Sequence, residues 1–110
     1  MVYIPGNQAT LRVMYDVEDE RQRQDAKWGE QNHPDGKKPR SAPFANNSSY
    51  QRGLTDRAAR DGRLNWQHIL REEVAEAFDA IGDDKALREE LIQVAAVVVA
   101  WIEAIDRRGK

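Results

Sequence analysis

Residues 70–93 read LREEVAEAFDAIGDDKALREELIQ, and this stretch decides the fold. Two helices meet at Gly82. The first is predicted to run from Asn65, a good N-cap, to Ile81. Gly82 can take the left-handed conformation that ends a helix. The second is predicted from Asp84, whose side chain can cap it, to Arg107, and Arg107 and Arg108 suit its C-terminal dipole.

Projected at about 100° per residue, the 65–81 helix places Ala77, Leu70, Ile81 and Val74 between about 20° and about 80° from Trp66. That arc reads as its core stripe. Glu73 falls at about 340°, inside the apolar arc between Ala80 and Trp66. Glu76 lies at its edge, at about 280°, and Glu72 further out, at about 240°. On the 84–107 helix, Val98, Leu91, Ile102, Ile105 and Val94 cluster within about 60° of Leu87 and read as the core stripe. Glu90 falls at about 300°, between Val97 and Trp101, and Gln93 at about 240°, between Ala100 and Ala104.

An isolated ionised carboxylate among apolar groups is costly, so such acids are paired, protonated or bound to metal. No basic residue shares the inner faces of these two helices; Arg71, Lys85, Arg88 and Arg107 project elsewhere. Residues three apart on a helix point the same way. Glu73, Glu76 and Glu90, with Gln93, therefore converge on one cleft as hard oxygen donors, a set suited to Mg²⁺ or Mn²⁺.

Outward from this hairpin the chain stays helical in character. Good helix formers and charges fill Leu11 to Trp28, with Thr10 as a plausible N-cap. Gly29 to Ser49 carries Gly29, Pro34, Gly36, Pro39 and Pro43 and reads as a loop. Tyr50 to Arg60 reads as a short helix ended by Asp61 and Gly62. No segment alternates as a strand does. The expected class is all-α, a helical bundle in one domain spanning residues 1–110, with 29–63 as a loop-rich insertion.

The formal net charge of −2 argues neither for nor against nucleic acid. Its distribution says more. Gln31 to Arg63 holds seven basic residues against three acidic ones, a net +4, which leaves −6 for the remainder. A basic segment beside an acidic helical body suits a phosphate ester bound through metal. The absence of cysteine excludes disulfides, thiol catalysis and cysteine-based zinc sites. No secretory signal or membrane-length apolar run is visible, so a cytoplasmic protein is expected. The apolar residues of the 84–107 helix spread around more than one arc, which implies burial on several sides and a partner subunit, a C₂ dimer being the commonest solution.

The acids also carry a resemblance. Residues 70–93 are similar to the motif of the MazG-like all-α nucleoside triphosphate pyrophosphohydrolases, an E-E-x-x-E helix, a short turn and an E-x-x-D helix. Glu73 and Glu76 match the first pair and Glu90 the acid of the second. Trp28-Gly-Glu-Gln-Asn-His33-Pro34 looks like the W-E-Q-x-H segment of the dCTP-pyrophosphatase branch with one residue inserted. ERQRQDAKWGEQ (20–31) and EELIQVA (89–95) resemble runs in small phage and actinobacterial MazG-like proteins. The departure is Gln93, which stands where the family has Asp; an amide oxygen can ligate a hard cation but adds no charge.

The resemblance implies a Mg²⁺-dependent enzyme, Mn²⁺ being the alternative, that converts a (d)NTP and water to (d)NMP and pyrophosphate. It implies metal ligation by Glu73, Glu76, Glu90 and Gln93, with Glu72 or Glu73 orienting the water. Substrate contacts would come from Arg21, Gln24, Lys27, Trp28 and His33, and the resemblance implies a homodimer or homotetramer of helical hairpins. His68, just inside the 65–81 helix, reads as structural from its position. Nucleic acid is not an expected partner. Two other readings stay open: a nucleotide-binding module weakened at Gln93, and a helical dimeric interaction protein that binds no metal.

Overall fold

A computed structural model describes residues 8–36 and 48–109. The described residues form four helices and no strand: α1 (Gln8–Trp28), α2 (Ser48–Arg60), α3 (Trp66–Asp79) and α4 (Asp84–Arg108). The all-α expectation is met. Of the expected 29–49 loop, residues 29–36 and Ser48–Ser49 are described, and the two serines open α2; residues 37–47 lie outside the described residues. α1 starts earlier than expected, so Thr10 lies inside it and caps nothing.

The caps explain where α3 and α4 begin. Asn65 Oδ1 accepts from the His68 backbone N–H at 2.8 Å, and His68 Nδ1 accepts in return from the Asn65 N–H at 3.2 Å. This is a capping box with histidine in the reciprocating position. It gives His68 the structural role expected of it. α4 is capped by Asp83 and not by Asp84: Asp83 Oδ1 accepts from Ala86 N–H at 3.1 Å. Gly82, at φ 111°, makes the turn between the two helices, a conformation that a side chain would strain.

The helices pack in the order α2, α3, α4, α1. α2 and α3 are antiparallel, since Arg52 meets Glu76 while Thr55 Oγ1 donates to the His68 carbonyl at 3.2 Å. Ser48 Oγ donates to Asp79 at the far end of the same pair. α1 and α4 run in the same direction: Asp16 pairs with Arg88, and Arg21 with Glu103. Beyond α1, the 29–36 segment is tied down at several points. Arg107 Nη2 donates to the Gln31 carbonyl, Trp66 N–H to the Pro34 carbonyl, and Trp101 Nε1 to Asp35 at 2.7 Å. Because α1 and α3 each pack on α4 and not on one another, a cleft floored by α4 opens between them.

The core corrects one expectation. The buried residues of α4 are Ala96, Val97, Ala100 and Ala104, the last three on its acid-bearing side. Val97, Ala100 and Ala104 join Trp66 of α3, with Ile69, Leu70 and Trp101 packed around them. The stripe read as core faces outward: Leu91 is 49% exposed, Val98 38%, Ile102 52% and Ile105 43%. Small residues let α4 sit close to two neighbours at once, and the larger aliphatics are left uncovered. On α3, Ala77 is buried as expected, but Ile81 lies past the helix end and is exposed.

Replacing Asn65 by alanine removes the acceptor for the His68 N–H and is expected to cost about 1 kcal/mol. A urea titration should show a lower midpoint with an unchanged slope; a changed slope would mean that the cap also holds the 29–36 segment in place.

Candidate metal centre

α3 carries Glu73 and Glu76 one turn apart, and α4 brings Glu90 against them. One carboxylate oxygen from each lies within 4.8 Å of the others. Glu76 sits in the middle, within hydrogen-bonding reach of both Glu73 and Glu90. Carboxylates at that range can share protons or a cation but cannot all be ionised alone. Glu73 Oε2 and Glu90 Oε2 are buried and have no hydrogen-bond partner.

The electrostatics follow from this crowding. Burial, reinforced by Glu76, Glu90 and Glu72, pushes the Glu73 carboxyl from 4.5 up to about 8. Burial and Glu76 raise Glu90 as well. Burial raises Glu72 too, against the pull of a nearby arginine.

That arginine corrects the expectation that no cation faces the acids. Arg52 of α2 donates through Nη2 to Glu76 Oε1 at 2.7 Å and through Nε to Glu72 Oε1 at 3.3 Å. It comes from a helix outside the hairpin, so projecting the two acid-bearing helices could not find it. The buried stripe of α2, Gln51, Thr55 and Ala58, holds the signal: Arg52 borders it on the side that packs on α3.

The structure gathers the other candidates unevenly. A cavity of about 300 Å³ in the α1/α3/α4 cleft is walled by Gln24, Lys27 and Trp28 on one side and Glu73 and Gln93 on the other. Lys27 Nζ lies 4.7 Å from the centre of the Trp28 ring. These five residues therefore share one chamber. Arg21 does not join them: it is engaged by Glu103 at 2.8 Å and Asp25 at 2.7 Å and lines a separate hollow. His33 packs edge-on against Trp66 with ring centres 5.0 Å apart, and burial lowers its pKa. It opens onto another hollow beside Arg107. Glu72 stands outside the three-acid cluster, held by Arg52. Residues that sequence reasoning passed over, Gln31 and Trp66, also wall the chamber.

The donor set fits a hard divalent cation. It is all-oxygen, anionic and partly desolvated, and two buried oxygens lack any other partner. A cation there would satisfy them and favour the ionised form of Glu73, so its binding must displace a proton near neutral pH.

The sign of the metal-free pH dependence is fixed by the raised Glu73 value. Between 4.5 and about 8 the folded protein holds a proton that the unfolded chain has lost. Stability is therefore full below 4.5 and falls as pH rises toward about 8. Melting temperatures taken in EDTA should drop across that window, and Glu73→Gln should flatten the drop. Added Mn²⁺ should restore stability most strongly at the alkaline end; an equal effect at pH 5 would place the ion elsewhere.

No family model, curated protein or solved structure matches the chain.

Proposed function

We propose that this chain is a divalent-metal-dependent nucleoside triphosphate pyrophosphohydrolase with a MazG-like arrangement of acids. The observation that carries the reading is the Glu73–Glu76–Glu90 cluster opening, through Glu73 and Gln93, onto the chamber that contains Lys27 and Trp28. A triphosphate needs its charge neutralised and a water positioned. What Mg²⁺ or Mn²⁺ supplies when held by Glu73, Glu76 and Glu90 is that neutralisation. Gln93 adds an uncharged oxygen donor beside Glu73. Lys27 meets phosphate oxygens on the α1 side, and the Trp28 face offers a stacking surface. Glu72, outside the cluster, or Glu73 within it, orients the attacking water and accepts its proton. The α–β phosphoanhydride breaks, giving (d)NMP and pyrophosphate.

The exposed α4 stripe supports a second copy as the natural cover. Leu91, Val98, Ile102 and Ile105 lie on one face of the helix, and α4 is otherwise already packed on two sides. A C₂ pair through this stripe is the simplest closed arrangement. No helix among the described residues is long and apolar enough to cross a membrane. We assign the protein to the cytoplasm as part of the same reading.

A non-hydrolysing nucleotide-binding module is the second reading, favoured by Arg52, which gives two of the acids a counter-ion without any metal.

With Mg²⁺ and a panel of ribo- and deoxyribonucleoside triphosphates, pyrophosphate release is expected from one or a few. It should cease with EDTA. Glu90→Ala should lower it on the order of a hundredfold or more, in line with the several kcal/mol that metal neutralisation supplies. Gln93→Asp should raise Mn²⁺ affinity. Metal binding and nucleotide binding without release, in wild type and in Gln93→Asp alike, would favour the binding module.

Ile102→Glu places a charge in the uncovered stripe. Sedimentation should shift from dimer, or a multiple of it, to monomer; an unchanged oligomer would move the interface off α4.

A further inference from the structure

Gln51, Thr55 and Ala58 bury one side of α2, and Arg52 follows Gln51 at the rim of that stripe. Its guanidinium reaches the acid cluster: Nη2 donates to Glu76 Oε1 at 2.7 Å and Nε to Glu72 Oε1 at 3.3 Å. Glu76 is the central acid of the three, the one in reach of both Glu73 and Glu90. The fixed charge therefore sits on the acid that links α3 to Glu90 of α4. Glu73 and Gln93 wall the α1/α3/α4 chamber and Arg52 does not, so it grips the acids from the α2 side.

A guanidinium and a divalent ion cannot both hold one carboxylate at full strength, because they repel each other across it. Which of them yields depends on what each loses by leaving. The Arg52 side chain is 59% exposed, whereas those of Glu72 and Glu76 are 18% and 22% exposed. An exposed guanidinium regains water as soon as it lets go, and ion pairs of this kind are weak. The acids regain much less, so a second cation is what compensates them. α2 need not move with the side chain. Its docking rests on Gln51, Thr55 and Ala58, on the Thr55–His68 bond at 3.2 Å and on Ser48 with Asp79, none of which involves Arg52.

We propose that Arg52 is a displaceable stand-in for the metal: its guanidinium holds Glu76 and Glu72 in the ion-free fold and has to release Glu76 before Glu73, Glu76 and Glu90 can take a divalent cation together. One side chain of α2 thereby sets the metal affinity of a cluster built on α3 and α4. Glu72, one of the two acids placed to orient water, is held by the same guanidinium and is let go in the same movement. Ligand and water-orienting acid are thus freed as one event, when the cation arrives. Arg52 touches no reacting atom and acts through the two acids. The proposal rests on the metal reading of Glu73, Glu76 and Glu90.

The test uses the full chain, labelled with ¹⁵N and freed of divalent ions by EDTA and dialysis. Mg²⁺ is titrated in while the Arg52 Nε–H resonance is followed, assigned by its loss in Arg52→Gln. That resonance should shift as Mg²⁺ saturates. Calorimetry should show Arg52→Gln binding Mn²⁺ about threefold or more tighter than wild type, the scale of an exposed ion pair. Arg52→Lys, which keeps the charge but not the two-pronged contact, should fall between them. Arg57→Gln removes an exposed α2 arginine that pairs with no acid among the described residues, and it should bind as wild type does. Circular dichroism should show every variant helical. An Arg52→Gln affinity equal to or weaker than wild type, or an Arg52 Nε–H unmoved at saturating Mg²⁺, would overturn the proposal and leave the metal site standing. So would a gain in Arg57→Gln as large as in Arg52→Gln, which would reduce the effect to general charge. No binding of either ion by any of these proteins would remove the metal reading and the proposal together.

Discussion

Three carboxylates brought within 4.8 Å of each other, two of them with an oxygen buried and unpartnered, set the terms for the rest of this molecule. Such a group must find compensation from protons, from a fixed cation or from a bound one. The fold supplies some of each of the first two. Glu73 keeps its proton to about pH 8, and Arg52 reaches in from α2 to Glu76 and Glu72. Arg52 reaches neither Glu73 Oε2 nor Glu90 Oε2, and both oxygens lack a hydrogen-bond partner. Incomplete compensation is what separates this cluster from an ordinary structural ion-pair network, and the desolvated oxygens are those best placed to gain from a divalent ion.

That constraint also accounts for features remote from the acids. For Glu90 to face Glu73 and Glu76, α4 must turn its acid-bearing side toward α3. Val97, Ala100 and Ala104 lie on that side, and their modest size permits the approach. The larger aliphatics are then carried to the opposite arc. The exposed stripe of Leu91, Val98, Ile102 and Ile105 is the consequence of the inner geometry and not an independent decoration. With α1 and α3 both resting on α4, the space between them stays open, and the acids sit at the edge of a chamber instead of in a sealed core.

How much of this could be read in advance depends on how local each signal was. Asn65, Gly82 and Arg107 carry conformational or electrostatic preferences within a single turn, and the ends of α3 and α4 followed from them closely. The convergence of Glu73, Glu76 and Glu90 was legible because angular position on two adjacent helices is nearly fixed by residue spacing. The packing face of α4 was not, because periodicity marks an apolar arc without saying what covers it. The bulky arc at Val98 and Ile102 outweighed the alanine arc on a hydropathy count, while close packing in one chain favoured the alanines. Arg52, Gln31 and Trp66 were missed for a different reason. Each matters through a partner distant in sequence, and only the tertiary arrangement pairs Arg52 with Glu76 or leaves the Trp66 N–H without an acceptor.

Gln93 gains meaning from the same arrangement. In the proposed metal site Gln93 would be a weaker ligand than the aspartate of the resembling family, since it contributes no charge. Yet it walls the chamber beside Glu73. A fourth carboxylate there would add repulsion to the burial and crowding that already hold a proton on Glu73, and would destabilise the metal-free state further. It would also set another negative charge on the wall of the chamber proposed to take the triphosphate. An amide keeps an oxygen donor while avoiding both penalties, and gives up charge stabilisation when a cation is bound. Arg52 offsets the acids from the opposite side, and its exposed guanidinium need only release Glu72 and Glu76 for those oxygens to turn to another cation. Neutral Gln93 and cationic Arg52 thus act in one direction: they make the cluster tolerable without metal, and so make the folded chain less dependent on any cation the acids could hold.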